Sequence, residues 1–300
     1  MLMLPALIRL ARPTHWVKNG FVAGPLIFAN PASLGHAVLQ SVTAVAVFSL
    51  MASAIYCFND VLDAESDRAH PTKRTRPIAA GLVSPELGVA WGVLLAASAI
   101  ALSWFQLPTA VLAVLGGYVV NNLFYNAKVK TVAIADVISI ATGFVLRLVA
   151  GAIAIGVVAS SWLLVCSFSL ALFLGFGKRR SELALAEQGR VYRPVLRAYT
   201  ASTVDSAMGI SATLTLMCYM LYTIAPETRE IHGTGDLIYT VPPVFYAMFR
   251  FIFRVQDARG ESPEELLLRD RVMLLTAGVW VGLVLLVLKF RIVTEAVAGK

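Results

Sequence analysis

Asn59, Asp63 and Asp67 fall at i, i+4 and i+8 at the end of an apolar run, in Tyr56-Cys57-Phe58-Asn59-Asp60-Val61-Leu62-Asp63-Ala64-Glu65-Ser66-Asp67. On a helix this spacing stacks three oxygen-bearing side chains on one face, with Tyr56 about one turn earlier. Stacked carboxylates repel, so the pattern is unfavourable unless a cation offsets it. Mg2+ takes oxygen ligands and commonly links one or two carboxylates to substrate phosphates. A solvated helix end with ordinary acids is the plainer alternative, although acids at a helix C-terminus oppose the macrodipole. Directly downstream lies His70-Pro71-Thr72-Lys73-Arg74-Thr75-Arg76-Pro77. Lys and Arg recognise phosphate oxygens, Arg often through two parallel hydrogen bonds. Acids followed by cations suit a substrate met as diphosphate plus metal. The competing reading is that Lys73, Arg74 and Arg76 only set topology or touch anionic lipid.

More charges sit where lipid is expected. Lys128, Lys130 and Asp136 precede Arg147, which follows Asp136 by eleven residues. Eleven residues are almost three turns, so the two share a helix face ~16 Å apart. A lone charge inside the hydrocarbon layer is expensive, so Arg147 should face a cavity or a partner. Anion binding and an ion pair with another helix are both open. In Gly175-Phe176-Gly177-Lys178-Arg179-Arg180-Ser181-Glu182 the glycines allow close helix approach. Lys178 and Arg179 extend a basic wall or set topology, and Glu182 is placed to orient one of them. Tyr246, Arg250 and Arg254 repeat the i, i+4, i+8 spacing, and Ser262-Pro263 before two glutamates reads as a structural helix start. Trp16 reads as an interfacial anchor, and Lys18 either snorkels or reaches into the polar cavity.

The elements that must carry these residues follow from composition. Hydrophobic residues make up 58% of the 300-residue chain and charged residues 14%, with mean hydropathy +0.75. Soluble domains carry about 25% charge, so a soluble fold is excluded. A span takes ~20 apolar residues. By that measure nine helices are expected, near 16–31, 37–58, 86–105, 108–126, 133–154, 161–178, 198–225, 236–256 and 272–290, after a short interfacial helix over 1–13 that Pro13 ends. Arg9, Arg12, His15 and Lys18 interleave with apolar residues, unlike a cleavable signal. Of 25 Lys and Arg, 20 fall at the N-terminus, in the charged loops or at the adjoining helix ends. Four (Arg229, Lys289, Arg291, Lys300) fall on the other side, which orients the charged loops toward the cytoplasm. The net charge of +7 is then a matter of topology, and no nucleic acid is expected. Cys57, Cys166 and Cys218 imply no disulfide framework.

The run Asn59-Asp60-x-x-Asp63-x-x-x-Asp67 resembles the first aspartate-rich motif of the UbiA-type prenyltransferases, and the resemblance covers essentially the whole chain. Finer features are similar to the decaprenyl-phosphate phosphoribosyltransferase branch. They are Arg12-Pro13-x-x-Trp16-Val17-Lys18-Asn19, His70-Pro71-Thr72-Lys73-Arg74-x-Arg76-Pro77, Tyr125-x-x-x-Val129-Lys130, Gly177-Lys178-Arg179 and Pro263-Glu264-x-Leu266-Leu267-x-Arg269-Asp270. The resemblance implies an all-α membrane bundle of nine helices around a cytoplasm-facing cavity, one catalytic domain over 1–300 in a bacterial inner membrane. It implies transfer of 5-phosphoribose from phosphoribosyl diphosphate to a polyprenyl phosphate lipid, a product that feeds arabinose donors for cell-wall polysaccharides. Asn59, Asp63 and Asp67 are the expected catalytic group, holding Mg2+ with Asp60. Lys18, Tyr56, Lys73, Arg76, Lys130, Asp136, Arg147, Lys178 and Arg179 are the expected substrate-binding residues.

Aromatic prenyltransferases carry a second carboxylate-rich motif, and here that region offers Asp136 among Lys128, Lys130 and Arg147. Fewer acids and more cations favour a donor with an additional phosphate. The rival within the enzyme class attaches a prenyl chain to an aromatic or other small acceptor. A transporter would place its charges near the midplane and not at a helix end, and a structural membrane protein would not retain so many costly charges. Homo-oligomerisation stays open.

Overall fold

A computed structural model describes residues 3–29, 33–69, 73–187, 194–257 and 269–298, with side chains described as far as residue 288. All regular structure among these residues is helical. The helices are α1 Met3–Ala11, α2 Gly20–Phe28, α3 Leu34–Leu62, α4 Ala64–Arg68, α5 Pro85–Gln106, α6 Ala110–Ala127, α7 Ala135–Ala154, α8 Ser161–Glu187, α9 Ala201–Ile224, α10 Pro226–His232, α11 Val241–Asp257 and α12 Arg271–Ala298. Among the described residues, eight helical stretches are long and apolar enough to cross a membrane: α3, α5 to α9, Asp236–Gln256 and Arg271–Leu288. Starts are set by capping. Ser84 accepts from Leu87 N–H ahead of Pro85, and Thr200 with Thr203 makes a reciprocal cap for α9.

Two expected segments take a different form. The first span, expected at 16–31, begins as a 3₁₀ stretch over Pro13–Asn19 and continues as the nine-residue α2, which contains Pro25. Nine residues rise only ~14 Å, less than the ~30 Å hydrocarbon core. Pro13 and Pro25 break the backbone hydrogen-bond ladder that one long helix would need. The sixth span does not stop at 178, because α8 runs on to Glu187. Arg179 with Glu182, and Arg180 with Asp205 of α9, supply ion pairs along this extension, which is rich in helix-forming Leu, Ala and Glu. The expected helix start at Ser262-Pro263 and the His70–Thr72 part of the basic run lie outside the described residues.

The chain divides into two compact units, residues 1–122 with 146–159, and 123–145 with 160–300. In the first unit α3 packs along α5. Ala6, Leu10, Ala54, Cys57, Ile78 and Leu95 form one core, and Val22, Val47, Phe48, Val111, Leu115 and Tyr118 another. In the second unit α8 packs along α9, and Val137, Phe173, Phe176, Met208 and Phe251 are central to the core. The expected close approaches at the α8 glycines are present. A Cβ at Gly175 would meet Val137 Cγ1 at 2.6 Å, and one at Gly177 would meet the Phe251 ring at 2.8 Å. Small residues that admit a neighbour this closely are how membrane helices pack without a hydrophobic driving force.

Candidate active site

The acid ladder sits where α3 hands over to α4. Asp63 ends α3 with φ −91° and ψ 1°, yet the backbone bonds Asp63 N–H to Asn59 O (2.9 Å) and Asp67 N–H to Asp63 O (2.8 Å) carry the helical repeat through. The oxygens divide into two edges. Asn59 and Asp63, one turn apart, are half-buried. Asp60 and Asp67, seven residues or almost two turns apart, are each 2% exposed. Arg76 bridges the buried edge, with Nη1 donating to Asp60 Oδ1 (3.2 Å) and to Asp67 Oδ2 (2.6 Å). Arg12 Nη2 donates to the same Asp60 oxygen, and its guanidinium lies 4.9 Å above the Tyr56 ring. Lys73 Nζ is 3.9 Å from Asp67 Oδ1. Tyr56, Asp60, Asp67, Lys73 and Arg76 are thus brought into one cluster, which Arg12 completes.

Deeper along α3 lies a second polar layer. Asn19 donates to Ser49 Oγ (3.0 Å) and accepts from Arg147 Nε (2.8 Å). Arg147 Nη2 donates to the Tyr118 hydroxyl (2.8 Å), with the guanidinium 4.7 Å from that ring. Arg147 therefore meets an amide and a phenol inside the first unit. Trp16 bonds Ser53 Oγ (3.0 Å). The second unit has its own cluster. Asp136, fully buried, forms an ion pair with Arg179 (Nε to Oδ2, 2.8 Å) and accepts a hydrogen bond from the Tyr199 hydroxyl at 2.7 Å. Tyr199 in turn accepts the N–H of Ile134, a residue with φ +69°. Burial pushes the Tyr199 phenol up to about 12. Arg179, also fully buried, pairs with Glu182 as well, which is the orienting role expected of that acid.

The model of the UbiA prenyltransferase family matches residues 20–278. The chain belongs to the UbiA prenyltransferase family. This UbiA-family chain is an integral multi-pass membrane protein. It is 35% identical over 292 residues to the decaprenyl-phosphate phosphoribosyltransferase of Mycolicibacterium smegmatis, covering 93% of this chain and 91% of that one. The protein of the same name in Corynebacterium glutamicum is 34% identical over 279 residues, with 92% and 84% covered. In fold it is similar to a UbiA homologue from Archaeoglobus fulgidus bound to GPP and Mg2+, with TM-score 0.71, 18% identity, and 95% and 99% of the two chains covered.

Among the described residues of this UbiA protein, no three His, Cys, Asp or Glu side chains converge as a ready metal cage. Arg76 and Arg12 pair with Asp60, and Arg76 pairs with Asp67 as well, so the four oxygen-bearing residues Asn59, Asp60, Asp63 and Asp67 lie along two edges. Mg2+ that is carried partly by phosphate needs only one or two carboxylates. Asn59 and Asp63 on the other edge fit that demand by the chemistry of their oxygens. Asp60 Oδ2 is a buried oxygen without a hydrogen-bond partner among the described residues.

Of the other expected binding residues, Lys18 is half-buried in the 3₁₀ stretch beside Asn19, Lys130 is half-buried in the 3₁₀ turn Val129–Thr131, and Lys178 is half-buried on α8. Asp136 and Arg179 pair with one another in the core of the second unit. Sequence reasoning missed the Arg12–Asp60 pair, the Tyr118 hydroxyl and the Tyr199 hydroxyl. One signal was present for the first unit. Ser49, Ser53, Tyr56, Asp60, Asp63 and Asp67 recur at spacings of four and three, a polar stripe on an otherwise apolar helix.

Proposed function

We propose that this chain transfers 5-phosphoribose from 5-phosphoribosyl 1-diphosphate to a decaprenyl-like polyprenyl phosphate and releases diphosphate. The observation that carries the reading is the likeness, over nearly the full length of both chains, to proteins named decaprenyl-phosphate phosphoribosyltransferase. The site supports it chemically. An oxygen edge (Asn59, Asp63) lies on the same helix end as a basic edge built from Arg12, Lys73 and Arg76. In this reading Asn59 and Asp63 would hold Mg2+, which would supply electrostatic stabilisation for the departing diphosphate. Arg76 and Lys73 neutralise phosphate oxygens, Tyr56 walls the site, and Asp67 orients Arg76. Lys18 and Arg147 hold anionic oxygens nearer the lipid. In the second unit Lys130 and Lys178 keep the phosphate-binding role read from the sequence. Asp136 and Arg179 support that end of α8 from the core.

The acceptor is already an anion and needs no general base. Catalysis then rests on positioning and electrostatic stabilisation, with oxocarbenium character at the ribose anomeric carbon. The reading includes a bacterial inner-membrane location and one catalytic domain over the whole chain, and the charge asymmetry of the loops supports a cytoplasm-facing site. Its product would serve as a precursor of arabinose donors. The test is a transfer assay in reconstituted membranes. Radiolabelled phosphoribosyl diphosphate with polyprenyl phosphate should give labelled lipid, and Asp63→Asn should abolish turnover in a folded protein. Labelling from prenyl diphosphate and an aromatic acceptor alone would select the rival reaction, and normal turnover by Asp63→Asn would refute the metal role.

A further inference from the structure

Arg12 stands outside the cations that sequence spacing nominates, because it lies 48 residues from its partner Asp60. Its backbone is left-handed, φ 52° and ψ 60°, immediately before Pro13. Such a conformation is unfavourable for a side-chain-bearing residue, and residues before proline are further restricted toward extended backbone. Strain of this kind persists where surrounding structure enforces it, and it clusters at functional sites. Here Asp60 and Tyr56 hold the guanidinium in place.

The arrangement that results is unusual for a purely structural pair. Two guanidiniums, of Arg12 and Arg76, converge on one oxygen of a buried carboxylate. Among the described residues Arg12 spends only Nη2 on that oxygen, and Arg76 only Nη1 on Asp60 and Asp67. Among the described residues the other nitrogens of both forks make no hydrogen bond, and the side chains are 21% and 25% exposed. Arg179 is the contrast: it is 1% exposed, with Asp136 and Glu182 closing around it. With Lys73, three cations face two carboxylates. A guanidinium fork matches phosphate geometry through paired hydrogen bonds, and a shared anion relieves the repulsion between two forks held side by side.

We propose that Arg12 and Arg76 form a two-arginine clamp for the diphosphate group of the donor, with Asp60 anchoring the clamp and not ligating the metal. The clamp binds diphosphate in the absence of Mg2+, whereas Asn59 and Asp63 carry the metal requirement. This deepens the proposed donor site and rests on that reading.

The test uses the purified full-length protein in lipid nanodiscs. Calorimetry with inorganic diphosphate in EDTA reads the clamp alone, and turnover against Mg2+ concentration reads the metal edge. Arg12→Ala is expected to weaken metal-free diphosphate binding tenfold or more and leave the half-saturating Mg2+ concentration unchanged. Arg12→Lys, which keeps charge without the fork, should recover only part of the loss and shows that the site has not simply unfolded. Asp60→Asn should follow Arg12→Ala, and Asp63→Asn should instead lose turnover at every Mg2+ concentration with metal-free binding retained. Equal diphosphate binding by wild type and Arg12→Ala overturns the clamp, as does an Asp60→Asn variant that loses turnover while keeping metal-free diphosphate binding, in the manner of Asp63→Asn. Diphosphate binding through Arg12 without phosphoribose transfer would overturn the proposed reaction and leave the clamp standing.

Discussion

Arg147 places a guanidinium within a helix that otherwise reads as membrane span, and its neighbours show how that is sustained. Asn19 supplies an amide oxygen, and Tyr118 supplies both a hydroxyl and a ring face. Asn19 is itself tied to Ser49, and Tyr118 lies 5.4 Å from Phe48 between ring centroids. The two contributions of Tyr118 are separable. Tyr118→Phe keeps the ring and removes one hydrogen bond to a charged group, which in a buried setting costs about 1.5–3 kcal/mol. A lower Tm in nanodiscs is therefore expected for Tyr118→Phe, and a larger drop for Tyr118→Ala, which also abandons Phe48. An unchanged Tm in the Phe variant would show that the hydroxyl bears none of the charge. At this scale the sequence revealed which residue types were out of place, because Asp63 and Arg147 are anomalous in apolar runs. It did not reveal their partners. Asn19 is 128 residues from Arg147 and Arg12 is 48 from Asp60, and no local spacing rule reaches that far.

The segment between α4 and α5 shows how an element aims a side chain. Ile78 is 1% exposed and plugs into the core beside Leu10, Cys57 and Val83, two residues after Arg76. Its Cδ1 would lie 2.7 Å from a Cβ at Gly88. Gly88→Ala should therefore push Ile78 outward and swing Arg76 off Asp60 and Asp67. The expected result is a raised KM for the diphosphate donor with little change in helix content, measured by initial rates and circular dichroism. An unaltered KM would show that Ile78 does not set Arg76. A second device joins α11 to α12. Asp270 accepts from Arg250 Nε and Nη2 (3.0 Å each), pairs with Arg254 at 3.1 Å, and caps α12 through Val272 N–H (2.9 Å). Hydrogen bonding from Arg250 holds the Asp270 carboxyl below the ordinary carboxylate range, and the Met273 and Val272 N–H groups reinforce it. A depressed folded value means that its stabilisation is complete above the unfolded value of about 3.9 and fades as pH falls through the lower folded value. Acid unfolding below pH ~4 should be less steep for Asp270→Asn, and parallel acid profiles for the two proteins would contradict this. Long uniform helices such as α3, α5 and α9 were legible from apolar length alone. The 3₁₀ entry at Pro13–Asn19 and the extension of α8 to Glu187 were not, since hydropathy registers neither a proline-broken ladder nor ion pairs made with another helix.

For the molecule as a whole, hydropathy and charge asymmetry conveyed the class of protein, a multi-pass helical bundle of the UbiA family. Large apolar side chains remain exposed along it, among them Val93, Trp104, Phe105, Phe124, Phe253 and Leu275, as suits surfaces that meet lipid tails instead of water. The division into two compact units was not legible. Helices α6 and α7 each contribute to both units, so nothing in the sequence pattern marks the seam. A lipid-linked acceptor suits such a surface, because its hydrocarbon can remain in the bilayer throughout. One feature of the N-terminus ties that bilayer to the chemistry. Helix α1 buries Ala6, Leu10 and Ala11 while Met3, Leu4 and Ile8 face outward, and its last residue is followed directly by Arg12. The outward apolar face of this helix suits contact with lipid tails, and the helix leads directly into the left-handed backbone of Arg12. Whatever meets that face therefore acts first on the residue whose guanidinium pairs with Asp60.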